Sequence, residues 1–365
     1  MSRCVKSSYK LLQLPEHICY SHYVVNVQNP HQFLEDFAEQ AGKAKKRIYL
    51  QSMLFEHGTL LGQLEPILIR KAKEGIDVRI HTDWVSQRYT EGNPNIIPPF
   101  YGARRKYMLA LHHQSKLLKD RLTDAGVKIT MTNQPGFLSR MLCIFKRNHK
   151  KLYIVDGISW LGGVNLFDFA LTMIDFMVKF TDPSFASLMA QEFSKVNNKK
   201  PKHNYSIDFN DDYDVLVDAG IVGRSLIQNE AIKLIGQSTE SVIFASQFVP
   251  EGKLLKALLE ASDRGANITI ITCPRSHEYF TKLPYKILYK IFRFKIKNKK
   301  NILLLHQDRM VHAKLIIVDK KSAIFGSHNL VSAGGTLGTE EIAVKTRDKE
   351  LIKQLEDFLN SETKR

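Results

Sequence analysis

His312-Ala313-Lys314-Leu315-Ile316-Ile317-Val318-Asp319, with Gly326-Ser327-His328-Asn329 six residues further on, is the stretch from which the rest of the chain can be read. Near the middle the same arrangement returns as His149-Lys150-Lys151-Leu152-Tyr153-Ile154-Val155-Asp156, followed by Gly162-Gly163-Val164-Asn165. Each copy has a histidine, a lysine two residues on and an aspartate five beyond that, then a glycine turn and an asparagine. A single His-x-Lys would suggest a surface pair or a satisfied core histidine. Two copies at identical spacing suggest a site built twice.

Alternate side chains of an extended strand share a face, so His312 stands with Lys314 and His149 with Lys151. The runs Leu315–Val318 and Leu152–Val155 are apolar throughout, as expected of strands buried on both sides. A histidine and a lysine on such a strand are costly to desolvate unless they line a polar cavity or meet an anion. Gly326-Ser327 and Gly162-Gly163 permit a tight turn and a close backbone approach. Asn329 and Asn165 carry amide hydrogens suited to an oxyanion. Two imidazoles, two ammonium groups and two carboxamides converging on one point suit a phosphodiester. One imidazole attacks phosphorus, the other protonates the leaving oxygen, and the lysines and asparagines take the remaining oxygens. The lysines bring the positive charge that a metal would otherwise supply, so no metal or other cofactor is expected.

The pattern resembles the HKD signature of the phospholipase D superfamily, in the subgroup with two motifs in one chain, and looks like its bacterial cardiolipin synthase-type phosphatidyltransferases. The resemblance runs from about Tyr23 to Val344. It implies a phosphohistidine intermediate, turnover without metal, and one active site at the interface of two pseudo-symmetric halves. It also implies that Asp175 and Glu341, the acidic positions after each motif, orient the catalytic histidines, with Glu340 as the rival to Glu341. The family's more common order makes His149 the nucleophile and His312 the general acid and later base, although the two motifs are themselves symmetric. Lys151, Lys314, Asn165 and Asn329 would hold phosphate oxygens, supported by Gly163 and Ser327. Asp156 and Asp319, the closing members of the signature, would buttress the site from behind. One departure stands out: six residues separate Asp319 from Gly326, but only five separate Asp156 from Gly162. This leaves the placement of Gly162, Gly163 and Asn165 open.

The 365 residues contain 44% hydrophobic and 25% charged side chains, ordinary for a globular protein with a sizeable core. The charge balance is not ordinary: 53 Lys+Arg against 37 Asp+Glu give +16, which favours an anionic partner. Cys4, Cys19, Cys143 and Cys273 have neither metal-ligand spacing nor a disulfide pattern and read as reduced thiols of a cytoplasmic protein. Met1–Tyr20 lacks the apolar core of a signal peptide, and no apolar run is long enough to span a bilayer. The expected location is therefore cytoplasmic, with peripheral association at the cytoplasmic membrane.

Residues 1–22 read as a loose basic arm or an interfacial anchor. Asn29-Pro30 opens a helix, Ile48–Phe55 is a strand, Leu61 to Ala72 stripe a helix that stops at Gly75, and Ile76–Ile80 is the next strand. The order returns with a helix at Leu226–Ile235, the strand Val242–Ala245, a helix ending before Gly265, and the strand Ile268–Ile271. The chain is thus an internal duplication, residues 1–200 and 201–365, and the fold class is α/β: two halves, each a mixed, mostly parallel sheet flanked by helices. The first half carries some 27 more residues between its Gly75 landmark and its motif, expected within Asp83–Thr123, where a Pro/Gly-rich loop, Glu91–Gly102, could rim the site. Asn197–Asp214 reads as an exposed connection.

In the second half, Pro284–Lys297 interleaves aromatics and aliphatics with lysines. It reads as a core helix with a basic outer face, an interfacial helix on acidic headgroups, or a nucleic-acid surface. The function expected is a membrane-associated phosphatidyltransferase that moves a phosphatidyl group from an anionic phospholipid to a lipid alcohol, phosphatidylglycerol. The alternatives are a hydrolase, either a phospholipase D or a metal-independent nuclease, using the same two histidines, and a non-catalytic scaffold that binds acidic surfaces.

Overall fold

The structure, a computed structural model, describes residues 23–84, 86, 87, 103–134, 147–273, 282–331 and 338–363. The basic arm at 1–22 and the Glu91–Gly102 loop lie outside these residues. In chain order the elements are β1 (Val25–Gln28), α1 (Pro30–Lys43), β2 (Arg47–Ser52), α2 (Thr59–Lys73), β3 (Asp77–Asp83), α3 (Ala103–Asp124), β4 (Lys128–Thr132), β5 (Leu152–Val155), β6 (Ile158–Gly162), β7 (Met177–Phe180) and α4 (Pro183–Ser194). The second half follows with β8 (Tyr205–Asn210), β9 (Tyr213–Ala219), α5 (Leu226–Gly236), β10 (Ser241–Ala245), α6 (Gly252–Asp263), β11 (Asn267–Thr272), α7 (Lys282–Ile296), β12 (Ile302–His306), β13 (Leu315–Val318), β14 (Ser322–Gly326), β15 (Glu340–Thr346) and α8 (Lys349–Glu362).

Local chemistry sets the boundaries. Asn29 caps α1 through its side chain, Gln32 returns the bond to the Asn29 N–H, and Pro30 takes the first turn, where no N–H is needed. Gly75 (φ +84°) and Gly265 (φ +100°) follow the ends of α2 and α6 in the left-handed region.

The strands form two sheets, ordered β1-β7-β6-β5-β2-β3-β4 and β12-β11-β10-β13-β14-β15-β9-β8. Both are mixed, as expected. The balance differs from the expectation, however: among the described strands β2-β3-β4 and β10-β11-β12 pair parallel, and the other strand pairings within the sheets are antiparallel. The helical crossovers impose the parallel pairs. The motif strands instead fold back on themselves as hairpins, which need no crossover. One core lies between the two sheets and draws on both halves, including Phe176, Val178, Val217, Leu315, Phe325 and Ile342. Two outer cores lie under α1–α2–α3 and under α5–α6–α7.

Three further differences refine the sequence reading. The extra residues of the first half are split: 44 residues separate β3 from β4 where 29 separate β11 from β12, and 19 separate β4 from β5 where eight separate β12 from β13. The stretch read as an exposed connection contains a strand, β8, whose Tyr205, Ile207 and Phe209 pack on the central core while Ser206, Asp208 and Asn210 face out. The missing residue after Asp156 is absorbed in the hairpin turn. Val155 pairs with Ile158 across a two-residue turn, whereas Val318 pairs with Ser322 across three. Beyond the turns the registers agree, Leu152 opposite Leu161 and Leu315 opposite Phe325, so Gly162 and Gly326 occupy equivalent places.

Candidate active site

The motif segments begin where the strands end. Ahead of β5, the His149 N–H donates to Glu340 O at 2.9 Å and the Glu340 N–H to Arg147 O at 2.8 Å. Ahead of β13, the His312 N–H donates to Ile174 O at 2.9 Å and the Ile174 N–H to Met310 O at 2.9 Å. Each motif is thus laced to the segment of the opposite half that carries an acid, and the two bridges repeat one another.

The acids complete the exchange. His149 Nδ1 lies 2.9 and 3.0 Å from the two carboxylate oxygens of Glu341, and His312 Nδ1 lies 2.5 Å from Asp175 Oδ2. Binding through Nδ1 leaves Nε2 of each ring to attack phosphorus or carry a proton. Glu340 contacts His149 through its backbone only; its side chain pairs with Lys200 at 2.8 Å.

Lys151 and Lys314 are fully buried beside their histidines. The Lys151 ammonium donates to His149 O at 2.7 Å, and that of Lys314 to His312 O. Burial, the largest effect, disfavours every charge here. It lowers His149 well below 6.5, with Lys151, Lys314 and Arg147 adding to the shift. It lowers His312 to about 4, with Lys314 adding and Asp175 opposing. Lys314 falls to about 8, and Lys151 well below its usual range. The carboxylates separate: burial lifts Glu341, whereas at Asp175 the facing His312 and Lys314 outweigh burial and hold the acid below its ordinary value. Four potential cations crowded with two carboxylates make a site that gains from an anion.

The glycines make room for this. A Cβ on Gly163 would stand 2.2 Å from Asp175 Oδ1, and one on Gly162 2.3 Å from Phe176 O; Gly326 faces Ile342 O at the same distance. Ser327, the counterpart of Gly163, donates its hydroxyl to Glu341. Asn165 is buried, its Oδ1 accepting from Ser52 Oγ at 3.4 Å. Asn329 has a buried Oδ1 with no hydrogen-bond partner among the described residues; an amide oxygen accepts, so its contact with a phosphate oxygen would have to come from the amide N–H groups.

Asp156 and Asp319 are a correction: neither reaches the site. Each lies in a hairpin turn five residues beyond its motif lysine, about 16 Å along the strand. Asp156 accepts from the N–H groups of Lys45, Lys46 and Arg47, and Asp319 from those of Thr239, Glu240 and Ser241. They fasten the entries to β2 and β10.

The structure adds groups the sequence reading passed over. Arg147 stands two residues before His149, the spacing that puts it on the same strand face. Its guanidinium donates to Ser86 Oγ at 2.7 Å and lies 3.9 Å from Asp83. Asp218 stands directly across from Glu341 in the β9–β15 ladder; burial raises it to about 6, and Ser225 Oγ donates to it at 2.5 Å. Lys150, fully buried between His149 and Lys151, replaces the small Ala313 of the second motif, and nothing in the signature announces it.

Two mixed α/β halves that trade His–carboxylate pairs across their interface define a phospholipase D-like architecture. A family model described as cardiolipin synthase, PLD-like domain, matches residues 37–197 and 231–362, and the chain belongs to this family. Among curated relatives it is 27% identical over 312 residues to cardiolipin synthase of Oceanobacillus iheyensis, covering 80% of this chain and 58% of the relative. It is 24% identical over 345 residues to cardiolipin synthase A of Pseudomonas entomophila, covering 87% and 64%. The chain therefore spans less than two thirds of either relative's length. Of the solved structures, phosphatidylserine synthase of Haemophilus influenzae Rd KW20 superposes with a TM-score of 0.69 at 16% identity, covering 93% of this chain and 86% of that one. Polyphosphate kinase from Porphyromonas gingivalis gives 0.58 at 13%, covering 93% and 50%. These likenesses concern the fold.

Proposed function

We propose that this protein transfers a phosphatidyl group between lipid alcohols through a phosphohistidine at His149. The observation that carries the reading is the reciprocal pairing of His149 with Glu341 and of His312 with Asp175, beside two buried lysines. The relatives, named cardiolipin synthases, support cardiolipin as the product; the donor and acceptor of this reading are both phosphatidylglycerol. His149 Nε2 attacks the phosphorus, the bond to the head-group glycerol breaks, and His312 gives its proton to the departing glycerol oxygen. A second lipid hydroxyl then yields its proton to His312 and attacks phosphorus, releasing His149. Lys151, Lys314, Asn165 and Asn329 hold the phosphate oxygens throughout. His149, kept neutral by burial and cations, suits attack; at His312 the ionised Asp175 opposes the lowering by burial and Lys314, and a phosphate anion in the site would favour the protonated ring that the transfer needs.

No helix among the described residues is long and apolar enough to cross a membrane, and the reading places the protein peripherally on the cytoplasmic face. Incubation of purified protein with phosphatidylglycerol vesicles and chelator tests it by product mass. Cardiolipin with glycerol supports the transfer. Phosphatidic acid alone means water is the acceptor. Cleavage of single-stranded DNA without lipid turnover would replace the reading with a nuclease.

A further inference from the structure

Lys282–Lys300 carries eight lysines and arginines and no acid, and most of it forms α7. Tyr285, Phe292 and Ile296 bury one stripe of this helix in the outer core, with Leu288 and Tyr289 half-buried beside them. At about 100° per residue, Ile287, Ile291 and Phe294 form a second stripe on the opposite side. They are 53, 49 and 70% exposed. A helix needs one apolar face to hold it to its own body, so the second has no structural use. Lys286, Lys290, Arg293 and Lys297 line one flank of this ridge and Lys295 the other, all exposed, and Lys297 Nζ lies 4.7 Å over the Phe294 ring.

The ridge begins near the candidate active site. Ala245, the last residue of β10, pairs with Leu315, which follows the motif lysine Lys314. The parallel β11 brings Ile271 beside Ala245, and two residues further Cys273 O accepts from Tyr285 Oη at 3.0 Å near the start of α7. The N-terminal end of α7 therefore stands at the catalytic end of the sheet.

We propose that the Ile287–Ile291–Phe294 ridge is the docking face for an anionic lipid surface. The apolar side chains enter the acyl boundary, and the flanking lysines meet headgroup phosphates. Charge selects this occupant. A second copy of the same face would set cations against cations, with no acid on the helix to answer them. Nucleic acid would satisfy the lysines but leave Ile287 and Ile291, which cannot stack on bases, exposed to water. The purpose of the docking rests on the phosphatidyl-transfer reading, because it would deliver lipid headgroups to the two histidines. The docking itself is tested apart from catalysis.

The test is flotation of the full chain with vesicles of phosphatidylcholine, with and without phosphatidylglycerol, for the wild type and an Ile291→Glu/Phe294→Glu variant of unchanged melting temperature. The wild type is expected to float only with phosphatidylglycerol present, less so as salt rises, and the variant to lose about tenfold or more in binding. Turnover on vesicles should fall in step, while turnover of a short-chain, monomerically dissolved phosphatidylglycerol stays at the wild-type rate. Equal flotation of variant and wild type, or equal binding to pure phosphatidylcholine, overturns the proposal. A wild-type dimer that the variant splits would assign the ridge to a second copy, and single-stranded DNA bound in place of vesicles would assign it to nucleic acid. Flotation of a wild type that turns over no phosphatidylglycerol would uphold the docking and reject the transfer reading.

Discussion

Asp175 Oδ2 lies 2.5 Å from His312 Nδ1 across 137 positions of sequence. The mirror pair, His149 with Glu341, spans 192. Neither half owns a complete His–carboxylate pair: each motif histidine bonds a carboxylate from the other half. The two pairs are also unequal. Asp175 is held ionised by its neighbours, whereas Glu341 is raised by burial and faces a second acid, Asp218.

That inequality makes the roles of the histidines testable through the leaving group. Asp175→Asn should lower turnover of phosphatidylglycerol about 10²–10⁴-fold, the usual contribution of a general acid. With a nitrophenyl phosphodiester, whose leaving group needs no proton, the loss should shrink to about tenfold or less. Glu341→Gln should impair both substrates, because it orients the proposed nucleophile. Equal losses for Asp175→Asn on both substrates would sink the assignment, as would a trapped phosphoenzyme whose adduct maps to His312.

Activity and stability should part company at high pH. The fold holds His312 at about 4 and Lys314 at about 8, against ordinary values of 6.5 and 10.5. Both shifts favour the neutral form, so the unfolded chain binds more protons between pH 4 and 6.5 and again between 8 and 10.5. These groups therefore make stability rise with pH in both windows and fall on acidification below 6.5. Catalysis, in contrast, needs both the His312 proton and the Lys314 ammonium, so kcat/KM should fall as the His312 proton is lost and fall more steeply above about pH 8, while the Lys314 contribution to the melting temperature increases. A kcat/KM with no added steepness between about pH 8 and 9.5 would mean that Lys314 does not hold the phosphate.

Gly163→Ala should separate folding from function. The new methyl would fall on the Asp175 carboxylate, and overpacking of this kind costs about 1–3 kcal/mol. The expected protein melts lower but folds, with Asp175 displaced from His312 and turnover reduced at least as much as in Asp175→Asn. Near-normal rates would show that Asp175 is not needed where it stands.

Asp156→Ala should give the opposite pattern. Losing three charge-assisted bonds to the backbone N–H groups of Lys45, Lys46 and Arg47 should cost about 2 kcal/mol of stability at a part-exposed turn. Because the residue lies about 16 Å along the strand from Lys151, kcat/KM of the folded variant should be unchanged. A large drop in kcat/KM below the melting transition would restore Asp156 to the site.

Much of this was legible in the sequence because the chemistry is local. The His-x-Lys alternation, the apolar run behind it and the glycine that ends the hairpin are short-range signals, and each maps onto β5–β6 and β13–β14. Gly75 and Gly265 announced the helix ends for the same reason. Asp156 misled because its signature position says that it matters without saying how: five residues of strand carry it away from the histidines. The dominance of antiparallel pairs was hidden because apolar runs report burial on two faces, not strand direction. Asp218 and Lys150 were invisible for a different reason. Their meaning comes from what the opposite half sets against them, and no spacing within one segment encodes that. Arg147 was within reach, since alternation from His149 points to it.

The reciprocal bridges between Arg147–His149 and Glu340, and between Met310–His312 and Ile174, also bear on the order in which the molecule forms. Each closes a loop of well over a hundred residues, so its entropy is spent only when the two sheets have already come together. Helices and hairpins can mature early within either half, but no such fragment contains an oriented histidine. During refolding, helical signal should therefore return before turnover does, and catalysis becomes a readout of the fully assembled chain.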